Sequence, residues 1–229
     1  MNTKIIYFEN FFCKNVFSFI TKILTKNSTV LISGGNSIKK IVKNSKKKIY
    51  IDKVRTIILS DERIYNKIDD LRTNYSNFKK NFFSFFKFYK LNFIYFRLGQ
   101  NNGLLAKNFL KKIKNKIPKV AILSLGNDGH ICSIFKETKN LNSNKYVNII
   151  KPKNKIKRVT INTTFLKKIK KIYLIVYGRK KGLALKKIIL EKQTMFPLIN
   201  YSKIIFILDK NAYEKIKCIK NIKYIKYFN

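Results

Sequence analysis

The chain has no tryptophan, one histidine, three prolines, eight glycines and only 11 acidic residues in 229 positions. Each shortage removes a class of answer. Cys13, Cys132 and Cys218 are an odd number spread far apart, which excludes a disulfide framework and suits reduced thiols in the cytoplasm. A single histidine and the lack of a close cysteine pair exclude zinc-site spacing, so no metal is expected. The longest apolar runs, such as IIYF near the start and FFSFF at 82–86, are far short of the roughly 20 residues of a membrane span. Lys4, Glu9 and Lys14 interrupt the N-terminal segment, where a secretory signal needs an unbroken apolar stretch. A soluble cytoplasmic protein without membrane contact is the expectation. No linker rich in Pro, Gly or Ser and no internal repeat divides the chain, so residues 1–229 are read as one domain.

What the chain has in excess is positive charge, 51 Lys plus Arg for a formal net charge of +40. Phosphate backbones attract such chains through counterion release, which makes nucleic acid the first partner to consider. The lysines, however, occupy nearly every segment rather than one tail or stripe. Together with abundant Asn, Ile, Phe and Tyr they form the profile that adenine- and thymine-rich codons encode. The charge is therefore read as compositional drift, and no specific nucleic-acid partner is expected. At 45% hydrophobic residues, the chain has the composition of a packed globular protein.

Residues 9–24 place Phe12, Val16, Phe19, Ile20 and Ile23 at helical spacing. The period then changes. TVLIS (29–33), VRTIILS (54–60), KVAILSL (119–125), IYLIVY (172–177) and KIIFILD (203–209) are near-continuously apolar, as strands covered on both faces must be. Between them lie segments of helical spacing at about 36–48, 74–88, 103–117, 163–170, 179–192 and 210–217. Strand alternating with helix predicts an α/β fold: a mostly parallel open sheet with helices on both faces, Rossmann-like. Regions 61–75 and 126–157 read as irregular, FRLGQNN (96–102) as a loop, and NFIYF before it as an edge strand.

Open parallel sheets bind ligands outside the carboxyl ends of their strands. Those positions hold Ser33-Gly34-Gly35-Asn36-Ser37, Asp61-Glu62-Arg63, Gly126-Asn127-Asp128-Gly129-His130, and Gly178 with Lys181, which include three of the eleven acids and the only histidine. A glycine pair at a strand-to-helix turn lets backbone N–H groups approach an anion. Arg63 can grip phosphate with two parallel hydrogen bonds, and Lys181 adds a point charge. An imidazole titrates near neutral pH, so His130 can take a proton from water and return it. Asp128, two residues earlier, is placed to orient that ring or a substrate hydroxyl.

These residues resemble the 6-phosphogluconolactonase and glucosamine-6-phosphate deaminase superfamily from about residue 29 to residue 209. The family's Ser-Gly-Gly-Ser-Thr-Pro is met by Ser33 to Ile38, its Asp-Glu-Arg by residues 61–63, and its Ser-Asn-Tyr by Thr73-Asn74-Tyr75. The pattern Leu-Gly-Met-Gly-x-Asp-Gly-His-Thr-Ala-Ser-Leu-Phe-Pro is answered by LSLGNDGHICSIFK at 123–136. Lys-Arg-Val-Thr at 157–160 resembles Pro-Arg-Val-Thr, and Val176-Tyr177-Gly178 with Lys181 resembles Val-x-Gly-x-x-Lys. The departures are Ile38 and Lys136 for Pro, Ser124 for Gly and Ile131 for Thr; the added Cβ of Ser124 is expected to crowd a close backbone approach.

The resemblance implies that a monomer hydrolyses a phosphorylated sugar lactone, 6-phosphogluconolactone of the pentose phosphate pathway, without a cofactor. It makes His130 the base, Asp128 its neighbour, Arg63 and Lys181 the phosphate grip, and Arg158 part of the lining. The deaminase branch relies on a Glu in Asp-Gly-His-Ile-Ala-Phe-Asn-Glu-Pro, and that position falls on Phe135 here, although Ile131 agrees with it. A cysteine nucleophile at Cys132 beside His130 is the other reading. A small buried side chain explains that cysteine better, since the family has Ala there.

Overall fold

The computed structural model describes residues 3–43, 48–65, 70–99, 101–135, 138, 145–153, 155–190, 203–219 and 222–226. Its strands are β1 (Thr3–Phe8), β2 (Thr29–Ile32), β3 (Ile49–Ile51), β4 (Thr56–Leu59), β5 (Asp61–Arg63), β6 (Phe86–Phe88), β7 (Asn92–Ile94), β8 (Val120–Ser124), β9 (Val147–Ile150), β10 (Arg158–Ile161), β11 (Lys171–Val176), β12 (Ile204–Asp209) and β13 (Ile222–Lys226). The helices are α1 (Phe12–Leu24), α2 (Asn36–Lys43), α3 (Asn74–Asn81), α4 (Asn102–Ile113), α5 (Thr163–Leu166), α6 (Arg179–Leu190) and α7 (Lys210–Tyr213). Eight strands form one sheet in the order β13-β1-β12-β11-β8-β2-β4-β7, and every pairing in it is parallel.

Each central strand sends alternate side chains to opposite layers. Leu31, Ile58, Leu123, Leu174 and Phe206 point to the layer packed by α4, α5, α6 and α7. Val30, Ile32, Ile57, Ile122, Ile175 and Ile207 point to the layer packed by α1, α2 and α3. Both layers are apolar, so the strands read as unbroken hydrophobic runs. Burying each such side chain stabilises the fold by roughly 1.5–3 kcal/mol relative to exposure. Among the described residues, no helix is long and apolar enough to cross a membrane.

The connection order places the ligand end. From β2 the chain steps outward to β4 and β7. It then returns through α4 to β8, on the other side of β2, and steps outward the opposite way to β11 and β12. The winding reverses between β2 and β8, and such a reversal opens a crevice at the carboxyl ends of those two strands. A small antiparallel sheet, β5-β10-β9, is joined to the end of β4, with Ile161 N donating to Ser60 O at 2.9 Å.

Several sequence expectations change. The segment at 74–88 is helical only to Asn81, and after a turn its last residues, Phe86–Phe88, form β6, paired with β3. Regions 61–75 and 126–157 carry the ordered strands β5 and β9. NFIYF contributes β7 at the sheet edge. The helices at 103–117, 163–170 and 210–217 span Asn102–Ile113, Thr163–Leu166 and Lys210–Tyr213. Those at 36–48 and 179–192 span Asn36–Lys43 and Arg179–Leu190; residues 44–47 and 191–192 lie outside the described residues, as does Lys136.

Candidate active site

Most cavity-lining segments follow the end of a strand of the large sheet, and Arg158 is added from β10 of the small one. The hydrogen-bond ladder runs one residue past each terminus: Ser33 N donates to Ile122 O at 3.0 Å, Ser60 N to Ile32 O at 3.0 Å, and Leu125 N to Ile175 O at 3.0 Å. The loops that follow enclose a cavity of about 350 Å³, within the range of small-molecule sites. Its wall brings together Ser33, Gly35, Asn36, Ser37, Asp61, Arg63, Gly126, His130, Arg158 and Lys181. Four of its side chains are cationic, Lys40, Arg63, Arg158 and Lys181, against the one carboxylate of Asp61. An anion is the ligand that such a wall favours.

Of the residues singled out from the sequence, Gly34, Asp128 and Gly129 stand behind the cavity wall, as do Glu62 and Gly178. Gly34 instead lets the first loop touch the start of α3: a Cβ there would stand 2.8 Å from both Cβ and O of Asn74. Gly129, with φ of 86°, turns the chain and donates its N–H to Gly126 O at 3.1 Å. Asp128 lies against His130, its Oδ1 hydrogen-bonded to the ring Nδ1. Its Oδ2 accepts from Lys155 Nζ at 2.5 Å.

The His130 hydrogen bond, followed by Lys155, holds the Asp128 carboxyl well below the usual range. Asp128 is therefore an acceptor only, and the Nδ1 of His130 is the donor in this hydrogen bond. The imidazole itself rests on Gly126, whose backbone N donates to His130 O at 2.7 Å. A Cβ on Gly126 would come within 2.2 Å of Nδ1. The ring also meets Phe135, centroid to centroid at 4.6 Å.

Asp61 is buried and joins the end of β4 to the loop that carries Ser133. Ser60 Oγ and Ser133 Oγ each donate to its carboxylate at 2.6 Å, and Arg158 Nη1 donates to Ser133 Oγ at 3.3 Å. Arg63 is steered by Arg72 O at 2.8 Å and Asn74 Oδ1 at 3.0 Å. It pairs across the small sheet with Arg158, and like charges directly opposite each other repel. Burial, with Arg63 adding to it, lowers the Arg158 pKa, and the Nε of Arg158 has no hydrogen-bond partner.

Glu62, fully buried, faces away from this chemistry. It accepts from the backbone N of Arg63 at 2.7 Å, Asn74 at 2.6 Å and Tyr75 at 2.7 Å. Burial outweighs those donors and pushes its carboxyl up to about 7. Lys181 Nζ donates to Ser37 Oγ at 2.7 Å and Ser124 Oγ at 3.0 Å; burial, then the nearby Lys40, brings its pKa down to about 8.

The Ser124 side chain, expected to crowd the backbone, instead supplies a hydroxyl to Lys181. Ile38 and Ile131 are buried in the core. Cys132 is 5% exposed, and desolvation drives its thiol well above the ordinary value, so a thiolate is disfavoured there. Sequence reasoning missed Lys40, Asn74, Ser124 and Tyr177 as wall residues. Spacing could have found Lys40, four residues after Asn36 and so on the same helix face. Among the described residues, no group of three His, Cys, Asp or Glu could hold a metal ion.

Residues 10–202 match the family model for glucosamine-6-phosphate isomerases/6-phosphogluconolactonase. A 6-phosphogluconolactonase structure from Thermotoga maritima is 20% identical with a TM-score of 0.70, over 91% of this chain and 100% of that one. One from Plasmodium vivax is 20% identical with a TM-score of 0.73, over 94% of each chain. A monomeric glucosamine-6-phosphate deaminase is 13% identical with a TM-score of 0.70, over 93% of this chain and 99% of its own. At these identities the likeness is one of fold. No curated protein sequence matches.

Proposed function

Since the chain belongs to the glucosamine-6-phosphate isomerase/6-phosphogluconolactonase family, we propose that it hydrolyses 6-phospho-D-glucono-1,5-lactone to 6-phosphogluconate, as a monomer and with His130 as general base. The observation that carries this reading is the His130–Asp128 pair at a cavity whose wall is cationic. Nε2 takes a proton from water as the water oxygen attacks the lactone carbonyl. The tetrahedral oxyanion collapses, the ring oxygen leaves, and the imidazolium returns the proton to it. A proton lost from the new carboxylic acid balances the step. Arg63, Arg158 and Lys181 bind the phosphate and neutralise the developing charge. A lactone is already a reactive ester, so positioning and base catalysis suffice without a covalent nucleophile.

The deaminase alternative lacks a carboxylate at the position of its Glu, where Phe135 packs on the His130 ring. The test is hydrolysis of freshly generated lactone, coupled to 6-phosphogluconate dehydrogenase, for the wild type, His130→Ala and the spontaneous background. Turnover above background that vanishes in the variant is expected. Folded wild type no faster than background would overturn the proposal.

A further inference from the structure

Lys40 lines the cavity yet belongs to none of the motifs that the family resemblance supplies, and Ser124 lines it at a position where the motif has glycine. Lys40 sits one turn into α2, and its Nζ lies 5.7 Å from the centre of the Tyr177 ring. Lys181, in the first turn of α6, reaches the same corner, where its ammonium is held by Ser37 and Ser124. That corner also receives the N-terminus of α2, whose first turn contains no acidic residue, so no carboxylate there offsets the positive end of the helix. Two like charges in one corner of the wall repel, and the charge of Lys40 adds to burial in lowering the Lys181 pKa. A dianion between them removes that cost, whereas a neutral sugar hydroxyl does not.

We propose that Lys40 and Lys181 act as a pair that seats the substrate phosphate as its dianion, with Ser124 serving as a positioning residue for the Lys181 ammonium. This rests on the lactonase reading above. Ser124 stands where the family pattern has glycine, so this chain holds its lysine with a hydroxyl that the pattern does not provide. The other charged and titratable groups of the wall are Asp61, Arg63, His130, Cys132, Arg158 and Tyr177.

The test is calorimetric binding of two stable probes, 6-phosphogluconate and inorganic phosphate, to the wild type, Lys40→Gln, Lys40→Arg and Ser124→Ala between pH 6.5 and 9.5. Lys40→Gln should weaken both probes by the same factor, about tenfold at pH 7, the scale of one charge-assisted hydrogen bond. Lys40→Arg should restore most of that loss, and Ser124→Ala should weaken both probes by roughly threefold. Wild-type affinity should fall as pH rises through about 8, where Lys181 loses its proton, and in Lys40→Gln the fall should move to higher pH. A Lys40→Gln protein that binds both probes as the wild type does, or that loses affinity for 6-phosphogluconate alone, would overturn the pairing. Wild type that binds 6-phosphogluconate no better than inorganic phosphate would instead overturn the lactonase reading.

Discussion

Replacing Gly126 with alanine tests the placement of the base without touching the base itself. The new Cβ would lie 2.2 Å from Nδ1, 2.3 Å from Cε1 and 2.8 Å from Cγ of His130. Relaxed carbon contacts need about 3.5–4.0 Å, so the imidazole must retreat by more than ~1 Å. The ring is also in contact with Phe135 and hydrogen-bonded through Nδ1 to Asp128, so a shift of that size disturbs both its tautomer and its aim. A misplacement of ~1 Å costs on the order of 10²-fold in rate, within the range that a general base contributes. The expected result is kcat about 100-fold lower with KM nearly unchanged, because the cationic groups stay in place. Overpacking should cost about 1–3 kcal/mol of stability, which a thermal melt would register. The coupled lactone assay gives kcat, and the single histidine of the chain gives one unambiguous imidazole resonance reporting whether the ring has moved. Folded Gly126→Ala protein within ~3-fold of wild-type kcat would refute the argument that general-base catalysis depends on this ring position.

Cys132→Ala should keep turnover within about twofold and stay folded, because the thiol is buried and its thiolate disfavoured; loss of activity would make it a nucleophile. Arg63→Ala should mainly raise KM and His130→Ala mainly lower kcat, and equal binding losses in both would contradict the roles assigned. The Glu62 carboxyl titrates near 7 in the fold against 4.5 in the open chain. The native state therefore binds that proton more tightly, and the stability it confers is complete below pH 4.5 and lost as pH rises through 7. The difference amounts to about 3 kcal/mol. Urea melts of wild type and Glu62→Gln at pH 5 and pH 8 should show the wild type losing more stability, and parallel losses would refute the assignment.

The five central strands were legible because both of their faces are buried, leaving the sequence no polar alternation to blur them. The N-terminal strand was not read, because Thr3–Phe8 runs almost at once through Glu9 into a helix and merges with its apolar pattern. Its pairing between β12 and β13 is a long-range fact that local pattern cannot carry. Asp61-Glu62-Arg63 looked irregular for a related reason: three consecutive charged residues oppose strand propensity, and only β10 beside them makes a strand of them. Most residues singled out at strand ends do meet in one cavity, since open sheets collect their loops there. Lys40 was hidden among 51 basic residues, and its position near Lys181 becomes visible only when α2 and α6 are placed in space.

The reversal of winding between β2 and β8 also governs when the cavity can first exist during folding. The loop after β2 and the loop carrying His130 are separated by most of the first half of the chain, yet both are wall segments. Loop closure on that scale comes late, because its entropy is lost before any contact offsets it. A nascent chain that has folded β2, α2, β4 and α3 can pack a helical layer but has neither base nor carboxylate partner in place. On the proposed mechanism the base enters with β8, while Arg158 and Lys181 complete the wall from β10 and α6, so the site is assembled only when those later elements have docked as well.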